Sequence, residues 1–422
     1  MTVLADVWRR EVPHVLAALL RRYGDLGDCE DAAQDAAEAA AAQWPADGVP
    51  ADPRAWLVRV ASRRLIDRFR ADSARTRREE QEAALQAGHA PAADDAPAAG
   101  VGHEGDDDTL RLLLLCCHPG LSRPSQVALS LRAVAGLTVE QIAAAYLVPS
   151  RTMTQRLTRA RAQLRQAGAR FVMPSEQDLP ERVAAVLDVC HLVFTEGYTR
   201  TSGTALVDGE LAEEAIRLTR EVHRALPDHD EAAGALALML LTHARFPART
   251  DEHGDLVPLA EQDRRRWRRE LVDEGAALLE STLPRGHVGR YQLQAAIAAV
   301  HAEAATYEAT DWRQIAVLYG MLHRIAPGPM VTLNHAVAAA MVHGPATGLA
   351  LLEPLAVDPA MRRHHRLYAV RAHLRELAGD RKAAADDYRR AAQLTASLPE
   401  QRYLNRRLAD NEAHEQRDTV SP

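Results

Sequence analysis

Arg151, Arg156, Arg159, Arg161, Arg165 and Arg170 lie between Ser150 and Arg170, a stretch with no acidic residue. A second block, Arg54 to Arg78, carries nine arginines (54, 59, 63, 64, 68, 70, 75, 77 and 78) against two acids, Asp67 and Asp72. Guanidinium groups at this density neutralise phosphates and fork onto acceptor pairs, so the chemistry they offer is capture of a polyanion. A solvated basic helix face has the same sequence signature. Groups that would make or break bonds are harder to assemble. Eighteen histidines are present. Of these, the adjacent pair His364-His365 diverges on a helix, and His301 with Glu303 lacks a third ligand at helical spacing. HEGDDD at His103–Asp108 sits in a linker-like stretch. There is no HExxH, GxSxG or phosphate-loop pattern. Cys29, Cys116, Cys117 and Cys190 form no CxxC pair, so neither a zinc site nor a disulfide framework is indicated. No catalytic residue, metal or cofactor is expected, and no cluster in the C-terminal half argues for a small-molecule ligand.

The elements that must position these arginines are helices. Ala and Leu dominate a chain of 422 residues with 4% aromatic content, which favours helices over strands. Net charge is -7, so polyanion binding must come from local segregation of charge rather than from a basic whole. Free cysteines suit a reducing, cytoplasmic setting. The start MTVLADVWRREVPH lacks the apolar core of a signal peptide. Leu112–Cys117 (LLLLCC) is far too short to span a bilayer and reads as a buried helical turn, so no membrane partner is expected.

In order, residues 1–43 read as amphipathic helices, with Asp28 capping the second and Glu30 and Asp31 in its first turn. WPADGVPADP at 44–53 reads as a loop, and Arg54–Arg70 as a helix. Residues 79–106, without Lys or Arg and rich in Ala, Pro, Gly and acids, read as a flexible tether. Helices follow at Thr109–Cys117 and Ser125–Ala135, the latter capped by Ser125. Leu137–Gln166 then reads as two helices around Leu147-Val148, the second starting at Pro149-Ser150 with a Ser oxygen free to cap it. Met153, Leu157, Ala160 and Leu164 form its apolar stripe. A short helix, a tight turn and a basic helix suit the major groove of DNA, and equally an ordinary helical hairpin. Residues 181–422 read as paired helices with a period near 35–45 residues, an alpha-solenoid of tetratricopeptide type. The pairs are 211–225 with 231–245, 261–283 with 291–309, 312–325 with 332–343, and 362–378 with 382–397, followed by a last helix from Glu400. A preceding helix, 183–194, is expected to end at Glu196-Gly197.

Three motifs in this order carry a resemblance: CEDAAQDA at Cys29–Ala36, PRAWLVRVASRRLIDRFR at Pro53–Arg70, and LTVEQIAAAYLVPSRTMTQRLTRARAQLR from Leu137. Together they resemble the extracytoplasmic-function branch of the sigma-70 family of RNA polymerase factors, with a tetratricopeptide-like extension. The family often has Asn where this chain has Arg63, and Gly in the helix-turn-helix turn where this chain has Leu147.

The resemblance implies an all-α, non-enzymatic protein. Residues 1–78 would be sigma region 2, 79–106 the linker, 107–170 sigma region 4 with its helix-turn-helix, and 181–422 the extension. It implies that Glu30, Asp31, Gln34 and Asp35 dock on the clamp helices of the core RNA polymerase large subunit, with the flap as a further contact. Trp44, Arg54, Arg59, Arg63, Arg64 and Arg68 would hold the minus-ten element. Arg151, Thr152, Thr154, Gln155, Arg156 and Arg159 would meet the minus-thirty-five element. The extension would regulate or support activity, with a regulatory protein as its partner. A stand-alone helix-turn-helix regulator with a solenoid sensor is the competing expectation.

Overall fold

The computed structural model describes residues 3–87 and 108–420. The Ala- and Leu-rich composition is realised as helices, with two strands of two residues each as the only named sheet among the described residues. Two compact units divide the chain, 1–189 and 190–422.

In the first unit α1 (Val3–Tyr23), α2 (Leu26–Asp47) and α3 (Pro53–Ala87) bury Leu16, Leu19, Ala32, Ala36, Leu57 and Leu65 between them. Asp25, not Asp28, caps α2: its carboxylate accepts the Asp28 amide at 2.9 Å. The 44–53 loop is shorter than expected, because α2 runs through Pro45 to Asp47 and α3 opens at Pro53. The first part of the expected tether, 79–87, continues α3; the rest of it lies outside the described residues.

α4 (Asp108–Cys116), α5 (Arg123–Ala133), α6 (Val139–Ala145) and α7 (Ser150–Gln166) follow, then α8 (Leu179–Tyr198), within which the unit boundary falls. The apolar run Leu112–Cys117 is buried, as expected. Ser125 lies inside α5 and makes no cap, because that helix already begins at Arg123. α6 opens on a capping box: Thr138 Oγ1 accepts the Gln141 amide at 3.2 Å, and Gln141 Oε1 accepts the Thr138 amide at 2.8 Å. Pro149 is the N-cap of α7, so no side-chain cap forms there. The turn between α6 and α7 closes without glycine because Leu147 takes φ 49°, the one non-glycine in the left-handed region among the described residues. That conformation costs a leucine about 1–2 kcal/mol, whereas Asn tolerates it. Leu147 is 51% exposed, so Leu147→Asn removes strain and little packing. The variant is expected to gain about 0.5–1 kcal/mol, read as a higher urea midpoint for the first unit.

The two halves of this unit, expected as separate modules on a tether, pack together. α1 lies against α4 and α5, and α2 against α7. Trp8 Nε1 donates to the Gly136 carbonyl at 3.3 Å, and Arg21 pairs with Asp108. The first part of α8 docks on the same body through Arg123, which donates to the Ala185 carbonyl at 3.0 Å and pairs with Asp188 at 3.2 Å.

The second unit stacks helices in sequence: α9 (Gly209–Ala225), α10 (Asp230–His243), α11 (Arg269–Thr282), α12 (Arg290–Glu303), α13 (Trp312–Ile325), α14 (Pro329–His343), α15 (Pro345–Val357), α16 (His365–Leu377), α17 (Arg381–Leu394) and α18 (Leu398–Val420). Repetitive helix-on-helix packing accords with a solenoid. Three expectations change. The long helix at 261–283 begins only at Arg269, after short 3-10 turns at Leu259–Glu261 and Arg264–Arg266, the helix at 291–309 ends at Glu303, and α15 occupies a stretch for which no helix is expected. β1 (Ser202–Gly203) and β2 (Ala396–Ser397) pair in parallel, joining the start of the unit to its last helices. Arg402 and Arg406 of α18 reinforce this by pairing with Asp255 at 2.6 and 3.1 Å.

α8 does not end at Gly197. It continues to Tyr198, and the missing side chain lets α9 approach: a Cβ on Gly197 would sit 2.4 Å from the Ala212 amide nitrogen. Gly197→Ala must therefore displace backbone. A loss of about 1–3 kcal/mol is expected, measured as a lower thermal midpoint for the second unit.

Candidate nucleic-acid interface

α1 and α3 enclose a groove of about 1090 Å³ lined by Arg54, Arg59 and Arg63, together with Arg21, Arg22 and Arg70. Six arginines meet three acids there, Asp52, Asp67 and Asp108, so the groove is electropositive. Arg59, Arg63 and Arg64 are exposed and, among the described residues, have no ion-pair partner. Arg54 is committed within the chain. Its Nε meets Glu11 Oε2 at 2.9 Å; burial pushes the Glu11 carboxyl up, but hydrogen bonds from Arg54 and Arg10 outweigh it and hold the group below the usual range. Arg68 is also engaged, pairing with Asp35 at 2.6 Å. Trp44 does not line the groove. Its ring is buried at the end of α2 and packs edge-on against Trp56 at 5.4 Å, so in this conformation it belongs to the α2–α3 core.

The four acidic-helix residues lie together on α2, and every one is bonded within the chain. Glu30 is buried, and its Oε2 accepts from Arg161 Nε at 2.7 Å. Burial raises its pKa, an effect that Arg161 and Arg132 only partly offset. Asp31 stands 3.6 Å from Arg161 and 3.9 Å from Arg68. Gln34 accepts from Arg132 at 2.9 Å, and Asp35 holds Arg68. Arg165 reaches the capping residue Asp25 at 2.7 Å.

α7 is divided by these contacts. Met153, Leu157, Ala160 and Leu164 are buried, as their spacing requires. Arg151, Thr152, Thr154, Gln155 and Arg159 are exposed, and Arg156 is half-buried. Among the described residues Arg151, Arg156 and Arg159 have no ion-pair partner. The arginines of the C-terminal half, Arg161 and Arg165, are the ones spent on α2.

Two stretches match known families at these positions: residues 7–75 match Sigma-70 region 2, and 111–164 match Sigma-70, region 4. Over 188 residues the chain is 29% identical to the probable ECF RNA polymerase sigma factor SigI of Mycobacterium tuberculosis (strain ATCC 25618 / H37Rv), a match covering 44% of this chain and 62% of that one. The chain is an extracytoplasmic-function sigma-70 factor with a C-terminal extension. A further relative, the uncharacterized protein R00370 of Rhizobium meliloti (strain 1021), is 40% identical over 398 residues, 94% of this chain and 93% of its own. Residues 182–283 match a family of unknown function, DUF6596. No solved structure matches.

The sigma factor is thus a non-enzymatic initiation factor that binds core RNA polymerase and promoter DNA. Among the described residues no helix is long and apolar enough to cross a membrane. Sequence reasoning missed Arg21, Arg22 and Arg70 as groove residues. The first two looked like the solvated face of α1, and only the packing of α1 against α3 turns that face toward Arg59 and Arg63.

Proposed function

We propose that this sigma factor holds promoter DNA at two separate arginine surfaces and docks on core polymerase through α2. Arg59, Arg63 and Arg64, helped by Arg21, Arg22 and Arg70 in the same groove, hold the minus-ten element as it opens. Arg54 and Arg68 contribute once their internal partners are released. Arg151, Thr152, Thr154, Gln155, Arg156 and Arg159 meet the minus-thirty-five element in the major groove, early residues at base edges and later arginines at phosphates. Glu30, Asp31, Gln34 and Asp35 dock on the clamp helices of the large subunit, and the helix-turn-helix unit engages the flap. The observation that carries this reading is the division of α7: among the described residues its N-terminal arginines have no ion-pair partner, while Arg161 covers Glu30 and Asp31, which polymerase would take, and Arg165 holds the cap of their helix.

The extension, in this reading, is a covalently attached regulator that controls or supports activity through protein contacts, and the protein works in the cytoplasm beside polymerase. In vitro transcription with core polymerase tests the whole. Promoter-specific initiation is expected with polymerase present, together with weak gel shift of duplex DNA by the protein alone. Tight shift without polymerase, and no promoter-specific transcript, would mean a stand-alone regulator.

A further inference from the structure

The second unit encloses a cavity of about 530 Å³ between α10, α12, α13 and α14, with Tyr403 of α18 and His373 of α16 on its far wall. Its size falls within the range of small-molecule sites. Among the residues lining it none is acidic. Arg245, just past α10, lines it, and among the described residues no carboxylate pairs with that guanidinium; its neighbours are the rings of Tyr198 and Trp267, at 5.9 and 6.0 Å.

The neighbouring wall is aromatic. Trp312 packs edge-on against His301 at 5.3 Å and against Tyr307 at 5.4 Å. Burial, reinforced by the charges of Arg245 and Arg264, lowers His301 to about 4, and burial lowers His373 as well. His301 is therefore uncharged at neutral pH, and Arg245 is the one Arg, Lys, Asp or Glu side chain on the wall. Arg264 is occupied elsewhere, donating to the Ala304 carbonyl at 2.6 Å and to the His301 carbonyl.

From the acid-free wall, the unpaired Arg245 and the aromatic side formed by Trp312 and Tyr307, we infer that this cavity binds a small organic anion with a carboxylate on a ring-bearing body. The carboxylate meets Arg245, and the ring lies against Trp312 and Tyr307. A cationic ligand is disfavoured by Arg245 and finds no carboxylate on the wall. The site is distinct from both arginine surfaces of the first unit, and a sigma factor with such a site would carry its own effector sensor.

The test uses the full-length chain without polymerase. Benzoate, 4-hydroxybenzoate and indole-3-acetate are titrated by calorimetry and by tryptophan fluorescence, beside benzamide and indole-3-acetamide as uncharged counterparts. At least one carboxylate is expected to bind with a Kd below about 1 mM and to quench tryptophan emission, with its amide at least tenfold weaker. Arg245→Met should lose about tenfold or more in carboxylate affinity and leave amide binding unchanged, Arg245→Lys should lose less, and Trp312→Phe should reduce both affinity and quenching. Far-ultraviolet circular dichroism checks that each variant keeps its helices, and the lysine variant carries the test if the methionine variant unfolds. Absence of binding by all three carboxylates, equal binding of acid and amide, or full affinity in Arg245→Met overturns the assignment. Binding of an acidic hexapeptide with none of the small anions overturns it too.

Discussion

Replacing Arg59, Arg63 and Arg64 together with alanine should lower open-complex formation by about two orders of magnitude at physiological salt. Each of these side chains is exposed and, among the described residues, has no ion-pair partner, so its truncation breaks no salt bridge there and the fold should be unaffected. If each neutralises one phosphate, the logarithmic salt slope should shrink by about 0.9 per residue, or roughly 2–3 for the triple variant. Losses of that kind fall on all promoters alike, because phosphate contacts position the DNA without reading it. The parallel triple variant at Arg151, Arg156 and Arg159 should depend more on the upstream sequence, since the early positions of a recognition helix reach base edges. The measurement is promoter opening over a series of potassium chloride concentrations with purified core polymerase. An unchanged slope in the first triple variant would remove Arg59, Arg63 and Arg64 from the DNA path. Arg54 makes an informative contrast. It sits in the same groove, but its alanine variant also strips Glu11 of one of its two arginine partners, so it should lose stability as well as function.

What could be read from the chain followed from local rules, and what could not followed from packing. The apolar stripe of α7 was legible because a period of 3.6 residues has one buried face, and Met153, Leu157, Ala160 and Leu164 fill it. The turn before it was legible as a difficulty: Leu147 stands where a left-handed residue is needed, and it adopts that conformation. Trp44 misled because proline and glycine follow it closely; yet Pro45 sits inside the helix, and burial of the indole against Trp56 extends α2 past the expected loop. α15, for which no helix is expected, likewise carries a proline inside the helix, Pro354. The pairing of Arg161 with Glu30 was beyond reach, because the partners are 131 positions apart and each has an innocent local role. The cavity around Arg245 is a sharper case. Arg245, His301, Trp312 and Tyr403 come from four helical segments, and nothing in their spacing joins them; sequence alone gave no reason to expect a ligand there.

The pairing of α2 with α7 leads to the second large effect. A double variant, Arg161→Ala with Arg165→Ala, should bind core polymerase about tenfold more tightly than the parent chain. In the free chain Glu30, Asp31, Gln34 and Asp35 are all held by arginines of the same molecule, so docking through them must first exchange those partners. Arg161 is largely buried against a Glu30 side chain that is 3% exposed. Truncating one member of such a pair destabilises the packed arrangement by about 3–5 kcal/mol, because the other charge stays buried. The Arg165–Asp25 pair is exposed on the arginine side and adds only about 0.2–1 kcal/mol. Apparent affinity improves only by the fraction of molecules that the packed state withholds from polymerase, which is why the expected gain is smaller than the ion-pair energies suggest. The variant should also loosen the contact between residues 3–87 and 108–189, seen as a lower transfer efficiency between dyes placed on the two halves. Asp35→Arg should give the opposite sign: it removes a carboxylate proposed to dock and repels Arg68, so affinity for polymerase should fall. Binding is measured by fluorescence anisotropy with core polymerase and no DNA, so that the loss of two arginines cannot act through promoter contacts. If the dyes separate in the double variant while polymerase affinity stays at the parental value, the α2–α7 pairs do not compete with docking, and polymerase approaches α2 from a face those arginines leave open.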